Sequence, residues 1–276
     1  MSIVFGKNHK PANGLRLTGF ARYTEILGRD IKSFLIVNLF TVLGFLPFLS
    51  GVAIAILSSS LLVLIPSCVI GGLIAGPALA AMYDCVYRSL RDASGNVLAD
   101  YKTAWKQNWK NALIPGIIYC LMIGVYCFMI MLFSFANRFP GWGTIAVLLF
   151  SVFLFTMFFS IYWPQIVLFH ASARERILNS LLFNITFFWK MAGITLLKLI
   201  YWGIMALLLP WSGVLMLLIG FWLILFTVNF LIYNQINQSF ALEQRIAEAF
   251  PEQAPFYETD EMWLQRKQRE EVDHHE

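Results

Sequence analysis

Residues 33–83 read SFLIVNLFTVLGFLPFLSGVAIAILSSSLLVLIPSCVIGGLIAGPALAAMY, 51 residues without one Asp, Glu, Lys or Arg. A helix rises about 1.5 Å per residue and the hydrocarbon core of a bilayer is about 30 Å thick, so about 20 residues cross once and this block crosses twice. The pattern continues along the chain. Residues 111–137 and 139–173 hold 27 and 35 residues without a formal charge, and 191–242 holds only Lys198. The whole chain of 276 residues is 59% hydrophobic and 13% charged, against roughly 45–50% and about 25% for a soluble domain. An ordinary soluble fold is excluded, because its surface needs charge that these blocks lack. A closed β-barrel would show alternation over about ten residues, and these blocks are continuously apolar.

The fold expected is all-α: a polytopic membrane protein with six transmembrane helices in one bundle. Spans are placed near 33–57, 64–87, 112–135, 143–170, 190–209 and 213–233, with Pro66, the Arg138-Phe139-Pro140-Gly141 stretch and Pro210-Trp211-Ser212-Gly213 as breaks. Outside this membrane domain, 33–233, lie an N-terminal segment, 1–32, and an acidic tail, 234–276. Orientation follows from the basic residues, which stay cytoplasmic when they lie in short loops. Six stand before the first span (Lys7, Lys10, Arg16, Arg22, Arg29, Lys32), five in 88–110, three in 171–190 and four in the tail, whereas the opposite loops hold Arg138 alone. Both termini are therefore expected in the cytoplasm of a cytoplasmic membrane. The first 30 residues have no apolar stretch of signal-peptide type, so the first span is expected to insert as an uncleaved anchor. The net charge of +4 reflects this topology and gives no support for nucleic-acid binding.

Two segments outside the core are amphipathic. Phe20, Ala21, Tyr23, Ile26 and Leu27 alternate with Arg22, Arg29 and Lys32, as in a basic helix lying at the cytoplasmic interface. In LADYKTAWKQNWKN, residues 98–111, Tyr101, Trp105 and Trp109 recur every four residues, and Lys102, Lys106 and Lys110 form the adjoining stripe. Trp and Tyr settle at headgroup level and Lys favours anionic phosphates, which describes an interfacial loop helix resting on membrane lipids. The same face is also a candidate docking surface for a cytosolic partner, or a gate coupled to the third span.

Inside the spans, Gly72 and Gly76 share a helical face and admit a close neighbour. Pro77 and Pro164 each remove a backbone donor, and Ser160 and Gln165 flank the second. Lys198 is the one formal charge in the 52 residues from 191 to 242, near the middle of its span. Two readings stand: its stem snorkels the ammonium to the headgroups, or it faces the bundle interior, held by amides such as Asn38, Gln165 or Asn229, and receives an anionic group. Cys68, Cys85, Cys120 and Cys127 show no metal-ligand spacing and read as small apolar residues. There is no GxxxxGK[ST], HExxH or GxSxG, and no carboxylate pair within the spans. No cofactor, metal or enzymatic activity is expected.

The blocks Glu25-Ile26-Leu27-Gly28-Arg29, Asn38-Leu39, Pro47, GPALAAMYDCVYRSLRD (76–92), LADYKTAWKQNWKN and IYWPQIVLFH (161–170) together resemble the YesL-like family of bacterial integral membrane proteins over about residues 20–245. The most specific pieces are Gly76-Pro77-Ala78, Arg88, Asp100, Trp105, Asn108 and Trp109. One departure is the 28 residues between Pro47 and Gly76, longer than in many relatives. The resemblance implies a bacterial cytoplasmic-membrane protein found beside carbohydrate-uptake and polysaccharide-degradation systems, and it implies no reaction and no catalytic residues. The expected function is a non-enzymatic accessory of a carbohydrate importer permease; the alternative is a small-molecule transporter or lipid-binding membrane protein.

Reporter fusions after Ser59, Gly141 and Ser212 should read external, and fusions after Ser94, Arg176 and Glu252 cytoplasmic. An external reading at Ser94 would invert the arrangement.

Overall fold

The computed structural model describes residues 2–3, 15–93, 95–135, 140–249 and 256–257. Arg138, the basic residue expected on the outer side, lies outside them, as does most of the acidic tail. Helices dominate: α1 Gly19–Leu57, α2 Leu61–Leu90, α3 Val97–Phe135, α4 Trp142–Leu168, α5 Ala173–Thr186, α6 Phe188–Leu207, α7 Ser212–Leu218, α8 Trp222–Phe240 and α9 Leu242–Ala249. Two pairs of two-residue strands tie the chain ends to the rest. β1 Ser2–Ile3 runs antiparallel to β3 Phe169–His170, and β2 Leu15–Arg16 runs parallel to β4 Phe256–Tyr257.

Five helices, α1, α2, α3, α4 and α6, are long and apolar enough to cross a membrane, and the pair α7 and α8, bent by 56°, makes a sixth if it counts as one broken span. Their outward faces are apolar: on α1, Ile36, Leu39, Leu43 and Leu46 are all exposed. A stripe of that kind in water would drive association, and in a bilayer it meets acyl chains. The chain is an all-α polytopic membrane protein.

The helix boundaries differ from the expected ones at informative places. Pro66 does not break the first hairpin, because it lies inside α2. The turn is made by Ser58–Ser60, with Ser59 at φ 49° and the amide of Ser60 bonded to Ala55 O at 3.0 Å. Membrane helices tolerate proline because neighbouring groups satisfy the freed carbonyl. The amphipathic N-terminal segment is no separate helix and runs without interruption into the first span as α1. In the same way the Trp and Lys segment is the opening of α3, 39 residues long, or about 58 Å at 1.5 Å per residue. The tail begins as helix: α8 continues to Phe240, Ala241 turns the chain at φ 48°, and α9 follows.

α2 is the axis of the bundle. Every residue from Ala75 to Leu90 is buried, the signature of a helix surrounded by protein on all sides. α1 packs on one flank, where a Cβ on Gly71 would meet Phe48 Cβ at 2.5 Å, and α3 on the other. The helix admitted by Gly72 and Gly76 is α3. A Cβ on Gly116 would stand 2.5 Å from Gly72 O and 2.6 Å from Gly76 Cα, backbone atoms that cannot yield without moving a helix. α4 joins through Trp163, whose ring stacks on Tyr83 at 6.3 Å and meets Tyr119 edge-on at 5.9 Å. α8 closes against α1, where Phe34 stacks on Trp222 at 5.4 Å and Tyr23 touches Phe226 at 4.9 Å.

Gly116→Ala should lower the melting temperature of the purified protein, overpacking of this kind costing about 1–3 kcal/mol. Gly203→Ala on α6, where an added Cβ meets nothing within 4 Å, should leave it unchanged or raise it slightly.

Candidate functional site

The starts of α1 and α3 and the ends of α2 and α8 meet at one end of the bundle, and the ion pairs are concentrated there. At its centre is Asp92, in the turn between α2 and α3 with φ 60°. Its carboxylate accepts from Arg16 Nε at 2.9 Å, from Arg22 Nη2 at 2.5 Å and from Arg29 Nη1. Two of these arginines cap α2: Arg22 Nη2 reaches Leu90 O at 3.4 Å and Arg29 Nη2 reaches Ser89 O at 2.9 Å, where the helix end presents unpaired carbonyls and partial negative charge. Arg16 also bonds Glu243 Oε1 at 2.5 Å. Glu243 is set in place by the α8–α9 corner, its amide donating to Asn237 Oδ1 at 2.8 Å, and its carboxylate takes Tyr233 OH at 3.1 Å. Beside this group, Asp84 holds Arg88 Nε at 2.5 Å within α2, and Arg88 Nη1 stands 3.7 Å from Asp100 of α3. Asp100 in turn accepts the Gly95 amide at 2.9 Å, and Asn96 Oδ1 accepts the Ala99 amide at 3.4 Å, together starting α3.

Burial pushes the Asp92 carboxyl up, but the hydrogen bonds from Arg29, Arg16 and Arg22 outweigh it and hold the group below its ordinary value. A cavity of about 20 Å³, room for one water, lies next to this cluster, lined by Ser33, Phe34, Cys85, Arg88 and Asp100 among others. The arrangement is a clamp, with its charges paired to one another rather than aimed into a cleft.

The four polar residues expected to form one site in the membrane are placed in separate groups. Asn38 serves the break between α7 and α8: its Nδ2 donates to Met216 O and Leu217 O, both at 2.9 Å, and its Oδ1 accepts from the amides of Phe221 at 2.8 Å and Trp222 at 3.3 Å. Tyr201 OH completes the repair at Ile219 O, 3.0 Å, and Gly220 O, 2.8 Å. Asn229 accepts from Tyr87 OH at 2.8 Å and donates to Leu225 O at 2.7 Å. Gln165 bonds Ser180 Oγ at 2.8 Å and Arg176 O at 3.3 Å, joining α4 to α5. None of the three holds Lys198. Its ammonium is buried in the bundle and donates to Ser160 Oγ of α4 at 2.9 Å.

That pair sits at mid-depth. Phe159, next to Ser160, touches Tyr119 at 5.3 Å, less than one turn along α3 from the Gly116 crossing, which meets α2 at Gly72 and Gly76, halfway along that helix. The ammonium is therefore turned inward rather than drawn to the headgroups, and Pro164 leaves the Ser160 carbonyl without its usual donor one turn on. The sequence placed all four polar groups within the spans but not around the helix axes, and both the azimuth and the position along the helices separate them.

Five of the six candidate docking residues share one surface. Lys102, Trp105, Lys106, Trp109 and Lys110 are exposed, Trp105 at 37% and Trp109 at 40%, while Ala104, Asn108 and Ala112 face the bundle. Lys110 Nζ lies 5.9 Å from the Trp109 ring centre. Tyr101 belongs to the inner side: its hydroxyl reaches Ala78 O at 3.4 Å and its ring packs on Phe40 at 5.5 Å. Among the described residues no group of three His, Cys, Asp or Glu could hold a metal ion. Cys68, Cys85, Cys120 and Cys127 are free thiols.

Sequence reasoning missed Asp92 and the arginines it gathers. A signal was present in Arg91-Asp92-Ala93-Ser94-Gly95, an acid in a turn sequence directly after a long apolar block and opposite the basic N-terminal segment.

The fold thus defines a polytopic membrane bundle closed at one end by ion pairs. Residues 34–130, which run through α1, α2 and most of α3, match the family described as "Protein of unknown function, DUF624", of which the YesL-like proteins are members. No curated protein and no solved structure matches the chain.

Asp92→Asn removes the charge, and Asn tolerates the left-handed backbone found there. Breaking a buried pair of this kind costs about 3–5 kcal/mol, so the melting temperature at pH 7 should fall clearly. Because the carboxyl is depressed in the fold, its contribution is complete above the unfolded value of about 4 and is lost as pH falls through the folded value. Unfolding measured between neutral and acid pH should therefore show the wild type losing stability on the acid side more steeply than the variant.

Proposed function

We propose that the protein is a non-enzymatic accessory factor of the bacterial cytoplasmic membrane, with both termini in the cytoplasm, that docks on the permease of a carbohydrate importer. The observation that carries this reading is the outer face of α3: two exposed tryptophans and three exposed lysines on a helix held from behind by buried Ala104, Asn108 and Ala112. Exposed Trp and a rigid backbone are what binding hot spots require, since little freedom is lost on docking. The resemblance to YesL-like proteins supplies the carbohydrate-uptake context, and the basic residues of the clamp end supply the orientation. A second reading, a small-molecule transporter or lipid-binding protein, draws on the inward-facing Lys198 at mid-depth, because buried charge in a membrane bundle marks functional positions.

The test is isolation from native membranes in mild detergent, with mass-spectrometric identification of what remains bound. A sugar-importer permease should be recovered with the wild type and reduced about tenfold or more with Trp105→Ser and Trp109→Ser combined, while the melting temperature stays within a degree or two because both side chains are exposed. Recovery of the intact protein without any permease under several detergents would overturn the docking reading.

A further inference from the structure

Arg176 differs from the buried arginines Arg16, Arg22 and Arg88. Arg16, Arg22 and Arg88 each bond a carboxylate. Arg176 is only 5% exposed, and among the described residues no carboxylate lies within ion-pair distance of it. Its Nη2 donates to Asn111 Oδ1 at 3.3 Å, and its Nε and Nη1 are buried with no hydrogen-bond partner among the described residues. A lysine in such a place can shed its proton, whereas a guanidinium stays charged. Leaving it buried and unpaired is costly, so a group that supplies the missing acceptors is expected.

Local structure holds the side chain in position. Ser172 and Glu175 form a capping box at the start of α5, with the Ser172 amide on Glu175 Oε2 at 2.7 Å and the Glu175 amide on Ser172 Oγ at 3.2 Å. That bond occupies the carboxylate nearest in sequence. The cap also fixes the helix so that Arg176, Ser180, Phe183 and Asn184 face the bundle while Ile177, Leu178, Leu181, Leu182 and Ile185 face outward. An apolar outer face of this kind suits a helix lying against acyl chains. Asn111, the partner of the guanidinium among the described residues, is exposed on α3 directly after Trp109 and Lys110, residue types that settle at headgroup level.

The geometry points to a site for the phosphate of an anionic phospholipid at the junction of α3, α4 and α5, with Arg176 as the binding fork. A phosphate diester entering beside Asn111 accepts from the guanidinium, whose planar donors match its oxygens. Lys110 offers a second cation at the rim, and the acyl chains lie along the outer face of α5. This site has Lys110 in common with the docking face, but its binding fork, Arg176, is no part of that face, and it does not depend on the permease reading.

The experiment compares melting temperatures of the full chain in nanodiscs of phosphatidylcholine alone and with phosphatidylglycerol, together with native mass spectrometry of bound lipid. The wild type should melt several degrees higher with phosphatidylglycerol and retain it over phosphatidylcholine by about tenfold, the scale of a charge-assisted hydrogen bond. Arg176→Gln should lose both preferences while melting in phosphatidylcholine no lower than the wild type, since an unpaired buried charge has been removed. A purely structural arginine would instead lower the melting temperature equally in both lipids and would overturn the site. Should Arg176→Gln fail to fold, Arg176→Lys and the wild-type lipid preference still decide: no preference for phosphatidylglycerol in the wild type overturns the proposal. An equal rise on adding inorganic phosphate to phosphatidylcholine discs would overturn the assignment to a lipid.

Discussion

The carboxylate of Asp92 gathers three arginines from two segments of the chain, and the arrangement of the clamp end depends on it. Arg16 belongs to β2, which pairs with β4 near the C-terminus, and Arg22 and Arg29 belong to the opening of α1. Through Arg16 and Glu243 the clamp extends to the corner between α8 and α9. Three cations around one anion would repel one another without further acceptors, and these are present: Leu90 O, Ser89 O, Asp30, Glu25 and Glu243. The end of α2 thus serves as a counter-charge for the start of α1. Every buried group in this set has a partner, which is the condition under which a polar cluster favours a single arrangement over alternatives.

At the level of the membrane, contact is made by close backbone approach. Without a hydrophobic drive between helices in lipid, packing and small residues decide association. Gly72, Gly76 and Gly116 let α2 and α3 approach until their backbones touch, Gly71 does the same for α2 and α1 at Phe48, and Gly44 of α1 admits the methyl of Ala78. The match to a described family covers residues 34–130, the three helices that make this contact. α4, α6 and α8 are joined to that unit by aromatic rings and single hydrogen bonds, among them Trp163 on Tyr83, Asn38 at the α7–α8 break and Tyr87 on Asn229. Lys198 and Arg176, two buried cations with no carboxylate among the described residues at ion-pair distance, lie on this second side.

Much of the fold was legible because apolar length is a one-dimensional quantity. The long charge-free blocks located the spans, and the four-residue recurrence of Trp105 and Trp109 found the outer face of α3. Continuity was not legible: nothing in 19–32 or 98–111 distinguishes a separate interfacial helix from the opening of a longer one, since both have the same 3.6-residue period. Pro66 misled because a proline close to the start of α2 removes a single backbone hydrogen bond without stopping the helix. The polar groups were found as residues and not as a site. Lys198, Asn38, Gln165 and Asn229 face different helices, and Asn229, bonded to Tyr87 near the end of α2, also lies off the level of Lys198; rotation about an axis follows from packing that sequence pattern does not contain. Arg176 looked like an ordinary loop cation until the capping box turned it inward.

The central claim is that Asp92 couples the opening of α1, the α2–α3 turn and the α8–α9 corner into one cooperative unit. Amide hydrogen exchange of the solubilised protein tests it most directly, with Asp92→Asn as the perturbation. The account predicts faster exchange in residues 19–30, in 89–93 and in 241–249 together, with the hairpin around Ser58–Ser60 unchanged at the far end of the bundle. Acceleration confined to the turn at 89–93 would contradict it.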